Sequence, residues 1–214
     1  MEYKAVVFDM DGVIFDSERL VVECWKEIAD KYGIQDIEKM CRECLGINRT
    51  ETERRFLAYY GNDFPYDKYK TEMSELYHSR YSGGRLPMKP GITELLSFLK
   101  ESGKKIALAS STRKSIVVAE LSDAGIIDYF DVIICGDMVE RSKPEPDIYL
   151  KACECLHIKP QEAYAIEDSY NGIRSATRGG LRAIMVPDLA EPTEEMKQLS
   201  EVILESLVDV REYL

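Results

Sequence analysis

The fold prediction for this chain starts from one stretch near its beginning, Tyr3-Lys4-Ala5-Val6-Val7-Phe8-Asp9-Met10-Asp11-Gly12. The apolar run over residues 3–8 is typical of a short buried strand, and an aspartate ends it abruptly. Asp9 and Asp11 lie two positions apart, so in an extended chain both side chains project to the same side. Adjacent carboxylates repel each other, and a divalent cation is a common way to stabilise them. Alone, this motif fits either a metal site or a pair of solvated turn aspartates.

Further apolar runs along the chain have the length and composition of buried strands. They cover residues 105–109, 132–135, 163–166 and 182–186. Helical patterns lie between them, at 92–100, 114–124, 147–156 and 171–178, and most of these are followed by glycine, the expected helix stop. Strands and helices that alternate at this spacing predict a parallel sheet with helices on both faces.

Residues 17–82 interrupt this alternation. They carry only helical patterns, at 20–32, 50–60 and 67–81, and they end in the turn-rich linker Gly83-Gly84-Arg85-Leu86-Pro87. The predicted fold class is therefore α/β, with a Rossmann-like parallel-sheet core domain and an inserted small all-helical cap domain. We assign residues 1–16 and 84–214 to the core and residues 17–83 to the cap.

Composition limits the partners that the protein can have. Its 214 residues include 28 basic and 39 acidic ones, a net charge of -11 that repels nucleic-acid phosphates and anionic membranes. We therefore expect no nucleic-acid or membrane partner. No apolar run is long enough for a signal peptide or a membrane span, so we expect a cytoplasmic protein. The acidic surface and the self-contained cap favour a monomer.

The cysteines allow a second interpretation. Cys41 and Cys44 form a C-x-x-C pair, but a zinc site would need further ligands, and the only histidines are His78 and His157. A thioredoxin-like motif would follow a strand, whereas this pair lies in helical sequence. We interpret the cysteines as reduced thiols of a cytosolic protein.

Polar residues also follow the later strands. Ser110, Ser111 and Thr112 come after the second strand, where hydroxyls and amides at a helix start can bind an anion. Lys143 precedes a helix in Ser142-Lys143-Pro144-Glu145-Pro146, and the fourth strand ends in Glu167-Asp168. Each has a simpler explanation, as a helix cap or a solvated charge. Together they favour a site at the carboxyl edge of the sheet, where open α/β sheets bind ligands.

These motifs resemble a known family. Phe8-Asp9-Met10-Asp11-Gly12, Ser110, Lys143 in Lys-Pro-x-Pro and Glu167-Asp168 resemble, in order, the four motifs of the haloacid dehalogenase superfamily. The resemblance covers essentially the whole chain, including the helical cap. Within the superfamily the chain looks most like the beta-phosphoglucomutase-like phosphatases.

The resemblance implies a role for each motif residue. Asp9 would be the nucleophile that forms an aspartyl phosphate, and Asp11 would be the general acid and base. Mg²⁺ would be held by Asp9, the backbone carbonyl of Asp11 and Asp168, with Glu167 acting through water. The phosphoryl oxygens would be bound by Ser110, Ser111 and Lys143. Because Asp11 is an acid that a leaving halide does not need, dehalogenation is disfavoured.

Residues of the cap help to distinguish a phosphatase from a mutase. Arg49, in Gly46-Ile47-Asn48-Arg49-Thr50, resembles the cap arginine with which sugar-phosphate mutases bind a distal phosphate, and Trp25 resembles their cap tryptophan. The alternatives are a solvated loop charge for Arg49 and cap-core packing for Trp25. Val21 stands where the mutases carry a histidine, and residues 75–78 lack their cap lysine.

We therefore predict a phosphatase acting on a small phosphomonoester, in particular a sugar phosphate. A mutase of the beta-phosphoglucomutase type is the alternative. A non-catalytic regulatory binding module is a third and less favoured function, because the set of motif residues is intact.

Overall fold

The computed structural model describes residues 3–214. Within them lie six strands: β1 (Ala5–Phe8), β2 (Lys105–Ser110), β3 (Val132–Cys135), β4 (Ala163–Glu167), β5 (Arg182–Met185) and β6 (Val202–Ile203). All neighbouring strands are parallel, in the order β3-β2-β1-β4-β5-β6. The predicted α/β class and the first five predicted strands are thereby confirmed. β6 was not predicted because a two-residue strand carries no periodicity of its own.

Ten α-helices complete the described part of the chain. The first four follow β1 directly: α1 (Ser17–Tyr32), α2 (Ile37–Glu43), α3 (Arg49–Tyr60) and α4 (Tyr66–Tyr81). The others alternate with strands or follow them: α5 (Ile92–Glu101), α6 (Lys114–Asp123), α7 (Asp147–Cys155), α8 (Tyr170–Arg178), α9 (Glu194–Leu199) and α10 (Leu207–Tyr213). The helical insertion predicted after the first strand is therefore present. Its exact bounds stay a prediction.

The central strand β1 is buried on both faces of the sheet. Val6 and Phe8 point into a hydrophobic cluster that contains Leu95 of α5, whereas Ala5 and Val7 point into a second cluster on the opposite face. That second cluster includes Ile148, Tyr149 and Ala152 of α7 and Ile173 of α8. Because helices cover both faces, β1 reads as a continuous apolar run rather than an alternating one.

The inserted helices have an aromatic core. Trp25 of α1 lies with its ring centroid 5.1 Å from that of Phe56 of α3, and Phe56 lies 5.0 Å from Tyr66 of α4. All three side chains are buried. Aromatic pairs at such separations add to the stability that their buried area gives, so this cluster ties three of the four helices together. No helix within residues 3–214 is long and apolar enough to cross a membrane.

Two chain segments connect the inserted helices to the sheet domain. The segment after β1 and the segment before α5 run side by side: the amide of Asp16 donates to the carbonyl of Pro87 at 3.0 Å, and the amide of Lys89 donates to the carbonyl of Ile14 at 2.8 Å. The outgoing and returning chains are therefore paired to each other, and we call this pair of segments, residues 12–16 and 84–89, the hinge.

Candidate active site

The strand register brings the predicted motif residues to one edge of the sheet. Phe8 is in register with Leu108 of β2 and with Ile166 of β4, and the amide of Asp9 donates to the carbonyl of Ile166 at 3.0 Å. Asp9 therefore emerges between the ends of β2 and β4. Glu167 is the next residue of β4, and Ser110 lies two residues beyond Leu108 on β2, so both lie at the same edge of the parallel sheet.

A buried lysine joins two of these strand ends. The ammonium of Lys143 donates to Asp9 Oδ1 and to Glu167 Oε1, each at 2.6 Å. The lysine side chain is 1% exposed and that of Glu167 is fully buried. The Tyr149 hydroxyl, from α7, donates to the same Oε1 atom at 2.5 Å. Lys143 is therefore held in one place by two carboxylates.

Burial and the neighbouring charges shift the pKa values in this group. Burial raises the pKa of Asp9 to about 8, although the positive charge of Lys143 acts to lower it, and Glu167 and Asp11 raise it further. For Lys143, burial alone would lower the pKa, but the Asp9 and Glu167 carboxylates outweigh it and raise that pKa above its usual value. Burial thus favours the protonated form of Asp9, whereas the two carboxylates favour the charged form of Lys143.

The acidic side chains at this edge have the composition of a divalent-cation site. Within residues 3–214, the group of potential ligands whose atoms lie within 4.8 Å of one another consists of Asp9, Glu167 and Asp168, all buried. Asp168 Oδ2 is buried and has no hydrogen-bond partner among the described residues. An unpaired buried carboxylate oxygen is costly, and a hard cation with oxygen ligands is the simplest group that satisfies it. The residues present therefore fit Mg²⁺.

Glycines make room for these carboxylates. Gly12 has a φ of 82°, which favours glycine, and a Cβ atom there would overlap the carboxylate of Asp168. A Cβ atom at Gly172, in α8, would overlap the carboxylate of Glu167. At both glycines, the carboxylate lies closer to the backbone than a residue with a Cβ atom would allow.

Asp11 lies next to this group but points elsewhere. Its Oδ1 accepts from the Ser17 hydroxyl at 2.6 Å, and its Oδ2 accepts from the Thr112 hydroxyl at 2.8 Å. Both oxygens of the carboxylate are thus fixed by hydroxyls, one from the start of α1 and one from the loop after β2. The role predicted for Asp11 in metal binding concerns its backbone carbonyl and stays a prediction.

A cleft of about 510 Å³ separates the inserted helices from the sheet edge. Of the predicted site residues, Asp9, Asp11, Ser111 and Arg49 line it. The others, Ser110, Lys143, Glu167 and Asp168, are buried beneath its floor. The structure therefore brings the whole predicted set to one place, with the acidic group below and Arg49 on the opposite wall.

The residues on the wall of the cleft that the inserted helices form differ in their exposure and contacts. Arg49 donates to the exposed Asp67 at 3.1 Å, and its side chain is 48% exposed. Trp25 lines the cleft but is mainly part of the aromatic core, the alternative considered for it above. Val21, for which the motif resemblance predicts a histidine in the mutases, also lines the cleft. An apolar side chain thus faces the site at that position.

Ionisable residues that the sequence analysis did not select also line the cleft, among them Glu18, Lys70 and Glu120. Burial raises the pKa of Glu18 to about 8, with contributions from Asp11 and Asp9. Burial, together with the charge of Arg49, lowers the pKa of Lys70 to about 8. Helical spacing places Lys70 on one face of α4 with Met73, Ser74 and Tyr77, but only the structure shows that this face lines the cleft.

The C-x-x-C pair also reaches the cleft. Cys41 and Cys44 both line it, and in the part of the chain that the structure describes all six cysteines are free thiols. Burial raises the pKa of Cys44 to about 12 and that of Cys41 still further. Neither sulfur is therefore a thiolate at neutral pH, which disfavours a nucleophilic role.

Together, the parallel sheet, the buried lysine, the acidic group at its carboxyl edge and the helical insertion over the cleft are typical of hydrolases that have a Rossmann-like core and a helical cap. The chain belongs to the haloacid dehalogenase-like hydrolase family, whose model matches residues 6–186. Enzymes of this family generally use Mg²⁺. The superfamily and the subgroup resemblance expected from the motifs are thereby confirmed.

Relatives of known function include both a phosphatase and a mutase. The chain is 33% identical over 181 residues to a phosphorylated carbohydrates phosphatase from Thermotoga maritima, covering 85% of this chain and 83% of the relative. It is 34% identical over 191 residues to beta-phosphoglucomutase from Bacillus subtilis, covering 86% and 83%. Among solved structures, CbbY from Rhodobacter sphaeroides in complex with xylulose-(1,5)-bisphosphate superposes with a TM-score of 0.80 at 30% identity, over 97% of this chain and 96% of that one.

Proposed function

We propose that the chain is a Mg²⁺-dependent phosphatase that hydrolyses a small phosphomonoester, in particular a sugar phosphate, through an aspartyl-phosphate intermediate. The observation that carries this proposal is the position of Asp9. It stands at the floor of a cleft, bonded to the buried Lys143 and next to the carboxylates of Glu167 and Asp168. Family membership and the Thermotoga maritima phosphatase support the reaction type and the carbohydrate substrate.

In the first half of the proposed reaction, a carboxylate oxygen of Asp9 attacks phosphorus, and the bond from phosphorus to the leaving oxygen breaks. Asp11 donates its proton to that oxygen, so the alcohol leaves neutral. In the second half, Asp11 takes a proton from water as the water oxygen attacks phosphorus. The bond between Asp9 and phosphorus then breaks and releases phosphate.

The remaining residues prepare Asp9 for attack and offset negative charge. A cation held by Asp9, Asp168, Glu167 and the backbone carbonyl of Asp11 would supply positive charge that favours the ionised form of Asp9 and stabilises charge on the phosphoryl group. Lys143 contributes a second positive charge, because its ammonium donates to Asp9 Oδ1.

The sequence analysis predicts phosphoryl binding for two serines, and their surroundings favour different roles. Ser111 lines the cleft, where its hydroxyl donates to the carbonyl of Gly46 at 3.3 Å, a long bond that a phosphoryl oxygen could replace. Ser110 is fully buried, and its hydroxyl oxygen accepts from the amide of Thr112 at 3.0 Å. We therefore assign Ser110 chiefly to shaping the loop that presents Ser111 and Thr112.

A mutase is the second candidate. The beta-phosphoglucomutase relative favours it, as do Arg49 and Lys70, which would hold a distal phosphate on the wall opposite Asp9. The apolar Val21 favours the phosphatase, because this side chain cannot perform the role of the histidine that the mutases carry there. Our proposal of hydrolysis rests on this difference.

The test uses purified full-length protein with Mg²⁺ and an aryl phosphate. We expect phosphate release that is abolished by EDTA and by Asp9→Asn, whereas Asp209→Asn, at the start of α10, leaves it unchanged. Appreciable turnover by Asp9→Asn would overturn the mechanism. Beta-glucose 1-phosphate with a trace of the 1,6-bisphosphate distinguishes the candidates: formation of glucose 6-phosphate without free phosphate would establish the mutase instead.

We further propose a cytoplasmic location, a monomeric state and core and cap domains at residues 1–16 with 84–214 and 17–83. The free thiols of the described cysteines support the cytoplasmic location. The net charge of -11 supports the monomeric state, and the paired hinge segments support the division into domains. Fractionation, analytical ultracentrifugation and limited proteolysis at the hinge would test them.

A further inference from the structure

The loop that follows β5 carries a carboxylate with an unexplained oxygen. Asp188 Oδ1 accepts from the ammonium of Lys89 at 2.6 Å, and the Asp188 side chain is 11% exposed. Asp188 Oδ2 is buried and has no hydrogen-bond partner among residues 3–214. The ion pair with Lys89 accounts for one oxygen only. A buried acceptor without a partner costs free energy unless a ligand or an ordered water satisfies it.

The sheet places this loop beside the acidic group. Glu167 is in register with Met185 of β5, and the amide of Val186 donates to the carbonyl of Glu167 at 2.8 Å. The chain continuing to Asp188 therefore leaves the sheet at the same edge as Asp168.

Asp168 and Asp188 are thus two neighbouring acids that each have one buried oxygen without a partner. Two unpartnered carboxylate oxygens at one edge of the sheet cost free energy, and a hydrated cation at that edge would satisfy both. Asp188 is not part of the group of Asp9, Glu167 and Asp168 whose potential ligand atoms lie within 4.8 Å of one another. It is therefore too remote to share a cation directly with all three.

We propose that Asp188 is a positioning residue of the metal site, which holds the hydrated cation through water by its Oδ2 atom. The proposal rests on the metal site of the proposed function. Mg²⁺ keeps several of its waters when it binds to proteins, and these waters need acceptors. Carboxylates in this outer position orient the hydration shell and typically change metal affinity by about 10–100-fold.

The other oxygen of Asp188, Oδ1, connects this loop to the hinge through Lys89. Lys89 lies in the returning hinge segment, and its ammonium also lies 3.6 Å from Oδ1 of Asp16 in the outgoing segment. The neighbouring carbonyl of Leu189 accepts from Arg42 of α2 at 2.7 Å. The loop that carries Asp188 is therefore held from the hinge and from the inserted helices, so a change in the hinge would move an acceptor of the metal site.

The experiment measures metal binding without substrate or turnover, by isothermal titration of the full-length protein with Mg²⁺ and by Mn²⁺ electron paramagnetic resonance. Asp188→Asn keeps the shape and one oxygen for Lys89 but removes the negative charge. We expect its Mg²⁺ dissociation constant to rise about tenfold or more. Glu191→Gln, an exposed carboxylate of the same loop, is the matched control and should bind as the wild-type protein does.

Two comparisons make the outcome decisive. Asp168→Asn should lose most Mg²⁺ binding; if it does not, the metal site of the proposed function is wrong. If Asp168→Asn loses binding while Asp188→Asn stays within twofold of Glu191→Gln, the assignment of Asp188 alone is overturned. Asp188→Ser, which should weaken binding at least as much, is the second variant in case Asp188→Asn is not folded by circular dichroism.

Discussion

Replacing Lys143 by methionine tests the electrostatic account of the site. Methionine keeps most of the length and apolar volume of the lysine stem but removes the ammonium that bonds Asp9 and Glu167, each at 2.6 Å. Both carboxylates are buried, at 4% and 0% exposure. Without the ammonium, two acids next to each other lose their shared counter-charge in a place where water cannot replace it.

The expected loss follows from the geometry of this pair. Removing one partner of a buried ion pair typically costs about 3–5 kcal/mol. Asp9 can respond by keeping a proton, since its pKa is already raised to about 8, chiefly by burial. Glu167 retains the hydroxyl bond from Tyr149. We therefore expect the free energy of unfolding to fall by about 3 kcal/mol at pH 7, the low end of this range. For a domain of this size, that loss lowers Tm by about 6–12 °C.

The assay is urea unfolding, followed by circular dichroism, in EDTA and again in excess Mg²⁺. We expect Mg²⁺ to stabilise the Lys143→Met protein more than the wild type, because a cation at the acidic group takes over part of the role of the lost ammonium. Lys197→Met is the control: this lysine pairs with Glu194 on the surface, where such pairs contribute about 0–1 kcal/mol.

Two results would refute this reasoning. Unfolding of Lys143→Met within 1 kcal/mol of the wild type in EDTA would mean that the buried carboxylates do not depend on the lysine. Equal stabilisation of both proteins by Mg²⁺ would mean that the cation does not bind near the place that the ammonium leaves.

Further predictions concern the cleft and its walls. Gly46→Ala should destabilise the protein in urea unfolding by about 1–3 kcal/mol, because Gly46 has a φ of 71° and a Cβ atom there would overlap Ser169; unchanged stability would contradict this contact. Glu120→Gln should gain stability over the wild type as pH rises from 5 to 8. Burial raises the pKa of Glu120 to about 8, so the wild type loses stability as this buried carboxyl ionises over that range, whereas glutamine does not ionise. We expect the difference in free energy of unfolding to be about 1 kcal/mol, and thermal unfolding that shows no pH-dependent difference would refute this prediction. Lys70→Met and Arg49→Ala should each raise KM for sugar bisphosphates more than for aryl phosphates, with equal changes in both KM values excluding a role in distal-anion binding.

Sequence reasoning could predict the sheet and the floor of the site because both depend on local patterns. Apolar runs that end in polar residues mark strand ends, and parallel pairing forces those ends to one edge. The sequence therefore predicts that Asp9 and Glu167 lie together, and the Lys-Pro-x-Pro motif adds Lys143 to them. The functional roles of these residues stay predictions until the variants are measured.

The parts that escaped prediction depend on contacts between distant segments. Tyr149 has the position of an ordinary core aromatic in α7, and only the packing of that helix on the sheet brings its hydroxyl to Glu167. Lys70 is one of two lysines in the sequence of α4, and only the orientation of that helix distinguishes it from Lys68. Asp188 lies in a loop without periodicity, where a sequence pattern carries no information about the neighbour across the sheet edge.

The pairing of the two hinge segments has a consequence for how such proteins can diversify. Because the amides of Asp16 and Lys89 bond across the pair, the inserted helices begin and end at almost the same point in space. A segment with adjacent ends can be removed, lengthened or exchanged for another without displacing the strands that carry it. A chimera that joins the sheet domain to the insertion of a relative through these two segments should therefore fold, and it would transfer leaving-group preference while the same aspartate performs the chemistry.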